Sequence, residues 1–166
     1  NWKLLSGNKQ MTIYSTDSAS QYLKSKGYIV EDPWDIVLGF EALIAQYCGS
    51  KYAISLDSCT NGLFLCLNYL KITNQKIEIP SRTYLSVPQI ILQTGNYPIF
   101  KDKAWTGNYE FGATNIIDSA GRIAKNMFIK DKFMCLSFHR KKNIPIGKGG
   151  MILTDSENAY NWMYKA

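Results

Sequence analysis

From residue 52 onward the sequence alternates short apolar runs with helix-patterned stretches, and this alternation limits the fold more than any other feature. The runs are "YAISL" (52–56), "KIEIP" (76–80), "YPIF" (97–100), "NIID" (115–118), "FMCLSF" (133–138) and "GMILT" (150–154). Between them, "DSCTNG" (57–62) reads as a turn, and "LFLCLNYLKI" (63–72) and "LSVPQIILQTG" (85–95) read as helices. Apolar runs this short, bounded by Gly, Asn and Asp, fit strands. Strands alternating with helices at this density predict an α/β domain of three layers, α-β-α, around a mostly parallel central sheet. In such sheets ligands bind at the carboxyl ends of the strands. The informative residues are therefore Asp57 to Thr60, Ser81 to Tyr84, Asp118, and Ser137 to Lys142.

The N-terminal part adds helices. Residues 1–14 carry no clear period. "STDSASQYLKSKG" (15–27) has Ser and Asp caps and a closing Gly27, and predicts a short helix. In "DPWDIVLGFEALIAQYCGS" (32–50), Asp32 can cap, Pro33 takes the first helical position and Gly49 ends the run. Trp34, Val37, Leu38, Leu43, Ile44 and Tyr47 predict a broad apolar face. The last stretch, "DSENAYNWMYKA", predicts a further helix capped by Asp155.

Composition narrows the class. The 166 residues suffice for one domain with a sizeable core, and 46% apolar against 19% charged residues is ordinary for a globular chain. No apolar run approaches the ~20 residues that span a bilayer, and no segment has signal-peptide form. The expectation is a cytoplasmic protein without a membrane partner. Cys48, Cys59, Cys66 and Cys135 show no CxxC pairing, and with one histidine in the chain no metal site is expected. The cysteines are expected to be reduced and buried. The net charge of +6 would attract anions. No helix-turn-helix, zinc-finger or RNA-reading spacing accompanies it, so an anionic small molecule is expected rather than nucleic acid.

Three places can carry chemistry. At Asp57 to Gly62 a strand runs through small polar residues into a helix, whose first-turn amides are unpaired and partially positive. With the Ser58 and Thr60 hydroxyls this could cradle a phosphate, or it could be a plain helix cap. Asp118 ends a strand, where a carboxylate could hold a cationic ring nitrogen or cap a helix. Tyr84 could stack on a ligand ring or join the core. The third place, "SFHRKKNIPIGKGGMILTD" (137–155), sets Lys141 and Lys142 before a strand. A lysine buried beside cations such as Arg140 loses its proton more easily and becomes a nucleophile. A solvated basic loop is the other reading. Gly149 and Gly150 would let backbone approach closely.

The order of these elements resembles the sugar aminotransferases of the DegT/DnrJ/EryC1/StrS family. The stretches that carry the resemblance are "FEALIAQYCGSKYAISLDSCTNGL" (40–63), "IPSRTYLSVPQIILQTGNYPIFKD" (79–102), "IIDSAGR" (116–122) and "CLSFHRKKNIPIGKGGMILTD" (135–155). The resemblance implies an aspartate aminotransferase-like, fold type I large domain that binds pyridoxal 5'-phosphate. It implies that Lys142 joins the cofactor covalently and later carries the proton between carbons, with Lys141 a bystander. Asp118 would pair with the pyridine nitrogen and Tyr84 would stack on the ring. Cys59, Thr60 and Ser137 would match phosphate-binding positions; the role of His139 stays open. The implied reaction moves an amino group from an amino acid, glutamate, to a nucleotide-linked keto sugar, in a homodimer.

The sequence also departs from the family pattern. Cys59 stands where glycine is usual, which would crowd the phosphate turn. Gly121 stands where a glutamine usually touches the cofactor, and the segment between Phe100 and Ile116 is short. Family members continue past the lysine into a smaller domain, whereas this sequence ends at Ala166, so a single cofactor-binding domain over 1–166 without the small domain is expected. Two other functions compete. One is an inactive member acting as an anion-binding or dimerising scaffold. The other is a hydrolase with Cys59 as nucleophile and a Cys59–His139–Asp118 set.

Overall fold

Strand β6 (Phe133–Ser137) is buried at all five positions, and so is β7 (Gly150–Thr154). Strands that are apolar on both faces belong in the middle of a covered sheet. The computed structural model, which describes residues 16–166, places them there. The remaining elements are α1 (Thr16–Ser25), α2 (Pro33–Cys48), β1 (Tyr52–Leu56), α3 (Cys59–Tyr69), β2 (Lys76–Pro80), α4 (Ser86–Gln93), β3 (Tyr97–Lys101), β4 (Tyr109–Glu110), β5 (Ile116–Asp118) and α5 (Glu157–Met163). A five-stranded sheet has the order β1-β7-β6-β5-β4, and β2 and β3 form a second, parallel pair. Among the described residues no helix is long and apolar enough to cross a membrane.

The large sheet is mixed. β5 and β6 are parallel, and β1 runs the same way, while β7 and β4 run against their neighbours. Connections explain the directions. The segments 138–149 and 111–115 contain no helix and return the chain directly, which gives antiparallel neighbours. β2 and β3 are joined through α4 and are parallel. β5 reaches β6 through 119–132 without a helix; that segment lies against β6, where Ile129 N approaches Met134 Sδ at 3.4 Å. The two sheets meet at Gly112, whose N–H donates to the Glu78 carbonyl at 2.9 Å.

The chain divides into two compact units, one ending at Phe40 and the other running from Glu41 to Ala166. In the first, Leu23 is buried and its carbonyl accepts from Tyr28 N–H at 3.1 Å, closing α1. In the second, α3 sets Leu63, Cys66 and Leu67 against Ile54, Cys135 and Ile152. Val87, Ile90 and Ile91 of α4 join the same core with Ile77 and Ile79 of β2. Buried Glu41 is satisfied by Ser55, whose N–H and hydroxyl both donate to Glu41 Oε1 at 2.6 Å. All four cysteines are free and buried.

Several expected details differ. The "DSCTNG" stretch is the start of α3, not a separate turn, because Ser58 caps the helix by accepting from Asn61 N–H at 3.2 Å. Ser156 rather than Asp155 caps α5, accepting from Ala159 N–H at 3.2 Å, while Asp155 accepts from Asp131 N–H. The apolar face of α2 is narrower than the periodicity predicts: Trp34, Leu38 and Tyr47 are exposed, and burial falls on Ile44, Ala45 and Cys48. The two-residue β4 was not predicted. Residues 1–14 and the Ser15 cap lie outside the described residues.

Gly150 marks the tightest junction. A Cβ there would stand 2.2 Å from the Ser58 carbonyl carbon and 2.3 Å from Cys59 N. Both are backbone atoms and cannot swing aside. Gly150→Ala is therefore expected to cost about 3 kcal/mol, the upper end for forcing an extra carbon into a packed site. Urea unfolding of the variant beside the parent checks this, and an unchanged midpoint would refute the close contact.

Candidate functional site

Strand direction gathers the site. β1, β5 and β6 run the same way, so their carboxyl ends, at Leu56, Asp118 and Ser137, share one edge of the sheet. The antiparallel strands β4 and β7 begin at that edge, with Tyr109 opposite Asp118 and Gly150 opposite Ser137. The helix α3 also begins there, directly after β1.

The first turn of α3 forms one wall. Ser58 caps it, and its hydroxyl also donates to Asp57 Oδ1 at 3.1 Å. Thr60 Oγ1 lies 2.8 Å from Ser86 Oγ, which links α3 to α4. The amides of Cys59 and Thr60 open the helix and have no intrahelical acceptor. Ser58 pairs with Gly149 in an isolated parallel bridge. Ser137 is buried at the end of β6, and its Oγ accepts from His139 N–H at 3.4 Å. The structure thus brings Ser58, Cys59, Thr60 and Ser137 to one place.

The Cys59 thiol does not crowd this turn, contrary to the expectation. It points into the core, 3.4 Å from the Cys135 carbonyl and 3.9 Å from Asp118 Oδ1. Burial, reinforced by the Asp118 charge, pushes this thiol well above its ordinary range. A thiolate nucleophile needs the opposite shift. His139 is exposed, and its Nδ1 accepts from Lys141 N–H at 3.4 Å. Those contacts remove the basis for a Cys59–His139–Asp118 hydrolase.

Asp118 is 6% exposed. Its Oδ1 accepts from Ala120 N–H at 2.9 Å and its Oδ2 from the Tyr109 hydroxyl at 2.8 Å. Burial raises its pKa; the Ala120 and Tyr109 hydrogen bonds and the positive charge of Lys142 oppose the rise. No helix follows Asp118, so capping is not its role. Lys142 is half-buried, and its charge acts on both Asp118 and Cys59. Its N–H donates to the His139 carbonyl at 2.8 Å, which turns the loop. Arg140 and Lys141 are both exposed, so the cations expected to crowd Lys142 are solvated.

Tyr84 is 77% exposed and so is not a core aromatic. Its neighbour Thr83 hydrogen-bonds the Tyr109 hydroxyl. Tyr109, buried between Thr83 and Asp118, is the site residue that sequence reasoning missed. Its strand is two residues long and has no period to read, and only its pairing with β5 reveals it. Gly121 also finds its reason: its N–H donates to the Gly107 carbonyl at 3.0 Å, and a Cβ would lie 3.0 Å from that oxygen. The short segment before β4 passes where a longer side chain at 121 would stand.

A sequence profile of the DegT/DnrJ/EryC1/StrS aminotransferase family matches residues 16–109 and 123–165. Asp118 lies in the unmatched stretch between. An uncharacterised protein of Methanocaldococcus jannaschii is 29% identical, over 72% of this chain and 42% of its own length. The spore coat polysaccharide biosynthesis protein SpsC of Bacillus subtilis is 26% identical, over 71% of this chain and 41% of its own. Among solved structures, S. venezuelae DesV superposes with a TM-score of 0.67 at 18% identity, covering 88% of this chain and 51% of that one. An aminotransferase from Psychrobacter cryohalolentis gives 0.66 at 19% identity, covering 95% and 50%. The chain spans about half the length of these relatives or less. The α/β fold with its mixed sheet is the fold type I, aspartate aminotransferase-like one.

The raised pKa of Asp118 has a consequence for stability. Its folded value lies above the ordinary 3.8, so its contribution is full below 3.8 and is lost as pH climbs through the folded value. Asp118→Asn has no such charge to bury. Urea midpoints from acid to neutral pH are expected to show the variant gaining on the parent as pH rises. A gap that stays constant across that range would contradict the burial of an ionising carboxylate.

Proposed function

We propose a function from one premise: the chain belongs to the DegT/DnrJ/EryC1/StrS aminotransferase family. The function is pyridoxal-phosphate-dependent transfer of an amino group from an amino acid, glutamate, to a nucleotide-linked keto sugar. The observation that carries it is the convergence of half-buried Lys142, whose charge favours the Asp118 anion, and the buried Asp118 carboxylate, beside the capped first turn of α3.

The residues suit the cofactor. The contact of Gly150 with the Ser58–Cys59 peptide keeps every side chain out of that junction. The Cys59 and Thr60 amides, the Ser58 and Thr60 hydroxyls and Ser137 are donors suited to a phosphate dianion at a helix N-terminus. Asp118 offers an acceptor to a protonated ring nitrogen, and the Ala120 and Tyr109 hydrogen bonds favour its anionic form. Tyr84, exposed next to Thr83, offers a ring face. Bound there, pyridoxal phosphate would supply the electron sink that amino-group transfer needs.

Each side chain then has a task. Ser58, Cys59, Thr60 and Ser137 bind phosphate and fix one end of the group. Asp118 holds the proton on the ring nitrogen. Lys142 Nζ would be the point of covalent attachment and, when free, would be the group that holds and moves a proton. Lys141 is exposed and takes no part. The net charge of +6 favours a phosphorylated sugar substrate.

What is bound or made by similar proteins supports the substrate class. SpsC is a spore coat polysaccharide biosynthesis protein, DesI was solved with its TDP-sugar product, and the B. subtilis protein NtdA was solved with bound PMP cofactor. A homodimer belongs to the same reading, since Tyr84 and Leu85 leave apolar surface open beside the site.

Borohydride reduction in the presence of pyridoxal phosphate, followed by peptide mapping, tests the reading. The pyridoxyl group is expected on Lys142, retained in Lys141→Ala and lost in Lys142→Ala. The yellow band of the bound cofactor should follow the same pattern. A label on Lys141, or no label, would sink the assignment. Cofactor binding without turnover of any amino donor would favour the inactive scaffold instead.

A further inference from the structure

The Tyr109 hydroxyl sits between two elements that the cofactor reading assigns to one ring, Asp118 to its nitrogen and the Tyr84 loop to its face. It donates to Asp118 Oδ2 at 2.8 Å, and it also hydrogen-bonds Thr83 Oγ1, one residue before Tyr84. The direction of the chain follows from the inventory of protons. An ionised carboxylate only accepts, so Tyr109 gives its single proton to Asp118, and Thr83 must then donate to the Tyr109 oxygen. Burial pushes the Tyr109 phenol far up, so it stays a donor across the physiological range. Each donor in such a series strengthens the next.

Packing fixes the ring. Tyr109 is 6% exposed, with the Trp105 ring edge-on at 4.8 Å and Phe111 stacked at 6.0 Å. The Trp105 indole N–H donates to the Arg82 carbonyl at 2.8 Å, a second tie to the Ser81–Tyr84 loop. Gly107 lies against Gly121, which keeps the segment 105–109 over the residues that follow Asp118. The family profile matches residues 16–109 and resumes at 123, so Thr83, Trp105 and Tyr109 lie inside the match and Asp118 and Gly121 outside it.

We propose that Tyr109 is a positioning residue: with Thr83 it locks the Asp118 carboxylate and ties it to the loop carrying Tyr84, so that one hydrogen-bonded brace sets both the ring-nitrogen partner and the ring-stacking residue. The proposal rests on the cofactor reading above.

Tyr109→Phe removes the hydroxyl and keeps the ring. The titratable groups facing Asp118 are Tyr109 from β4, Cys59 from α3, Cys135 from β6 and Lys142 from the loop. Tyr109→Phe deletes a donor to the charged form, so the Asp118 titration must move to higher pH. The first measurement is the carbon-13 shift of the Asp118 side-chain carboxyl against pH in cofactor-free protein. The expected result is an upward displacement in Tyr109→Phe and a smaller one, in the same direction, in Thr83→Val. The second is pyridoxal phosphate retention, expected to weaken about tenfold in Tyr109→Phe, in line with one lost hydrogen bond to a charged group. Pyridoxyl labelling of Lys142 should persist in both variants. An unmoved Asp118 titration with lowered thermal stability would mean that Tyr109 only packs, and would overturn the proposal. Unchanged retention would overturn it too. Should Tyr109→Phe not fold, Thr83→Val carries the same two measurements. A parent protein that takes no label at Lys142 would sink the cofactor reading instead, and the titration would still report whether the brace holds Asp118.

Discussion

The site depends on one contact that leaves no room for a methyl group. β7 begins so close to the first turn of α3 that Gly150 rests on the Ser58–Cys59 peptide. Because β7 also pairs with β6, the same contact sets Ser137 beside that turn. Because β6 pairs with β5, it sets Asp118 in the next row. Three loops and a helix N-terminus thus converge through backbone geometry before any side chain is chosen. A ladder of this kind transmits position well, since strand spacing is fixed by hydrogen bonds.

The departures at Gly121 and in the short segment before β5 are a single structural change. With few residues between β3 and β5, the chain runs β4 directly alongside Asp118 and lays Gly107 against Gly121. A large side chain at 121 has no place there. The same run of β4 along β5 brings the Tyr109 hydroxyl to the Asp118 carboxylate. In the exposed, basic loop 139–148, Lys142 and Ile144 are half-buried, and the turn is set by main-chain bonds, Lys142 N–H to the His139 carbonyl and Arg140 N–H to the Gly147 carbonyl.

Most of this was legible in the sequence where a period exists. β1, β2 and β7 appear at the boundaries that their apolar runs predict, β6 ends one residue early, and α2 starts at Pro33 and stops before Gly49. The strand-end rule points to Asp57–Thr60, Ser81–Tyr84, Asp118 and Ser137–Lys142. What stayed hidden depends on pairing rather than pattern. Tyr109 matters because of its register with Asp118, and a two-residue strand has no alternation to betray it. The direction of the Cys59 thiol depends on α3 starting early, at the residue after its Ser58 cap, which turns position 59 toward β6. The exposure of Trp34 and Leu38 shows the limit of helical periodicity: it reports which residues share a face, not what covers that face.

Electrostatics at the strand ends follow from the same burial. The Cys59 and Cys135 thiols and the Tyr109 phenol are all pushed upward by desolvation, so each is neutral at physiological pH. That leaves Asp118 and Lys142 as the charged pair of the inner layer, with Arg140 and Lys141 out in solvent. The Lys142 charge favours the Asp118 anion against the cost of its burial. In the cofactor reading, Lys142 would be the attachment point and Asp118 would face the ring nitrogen, and the thiols and phenol, held neutral by their own burial, would leave no third charge there to compete.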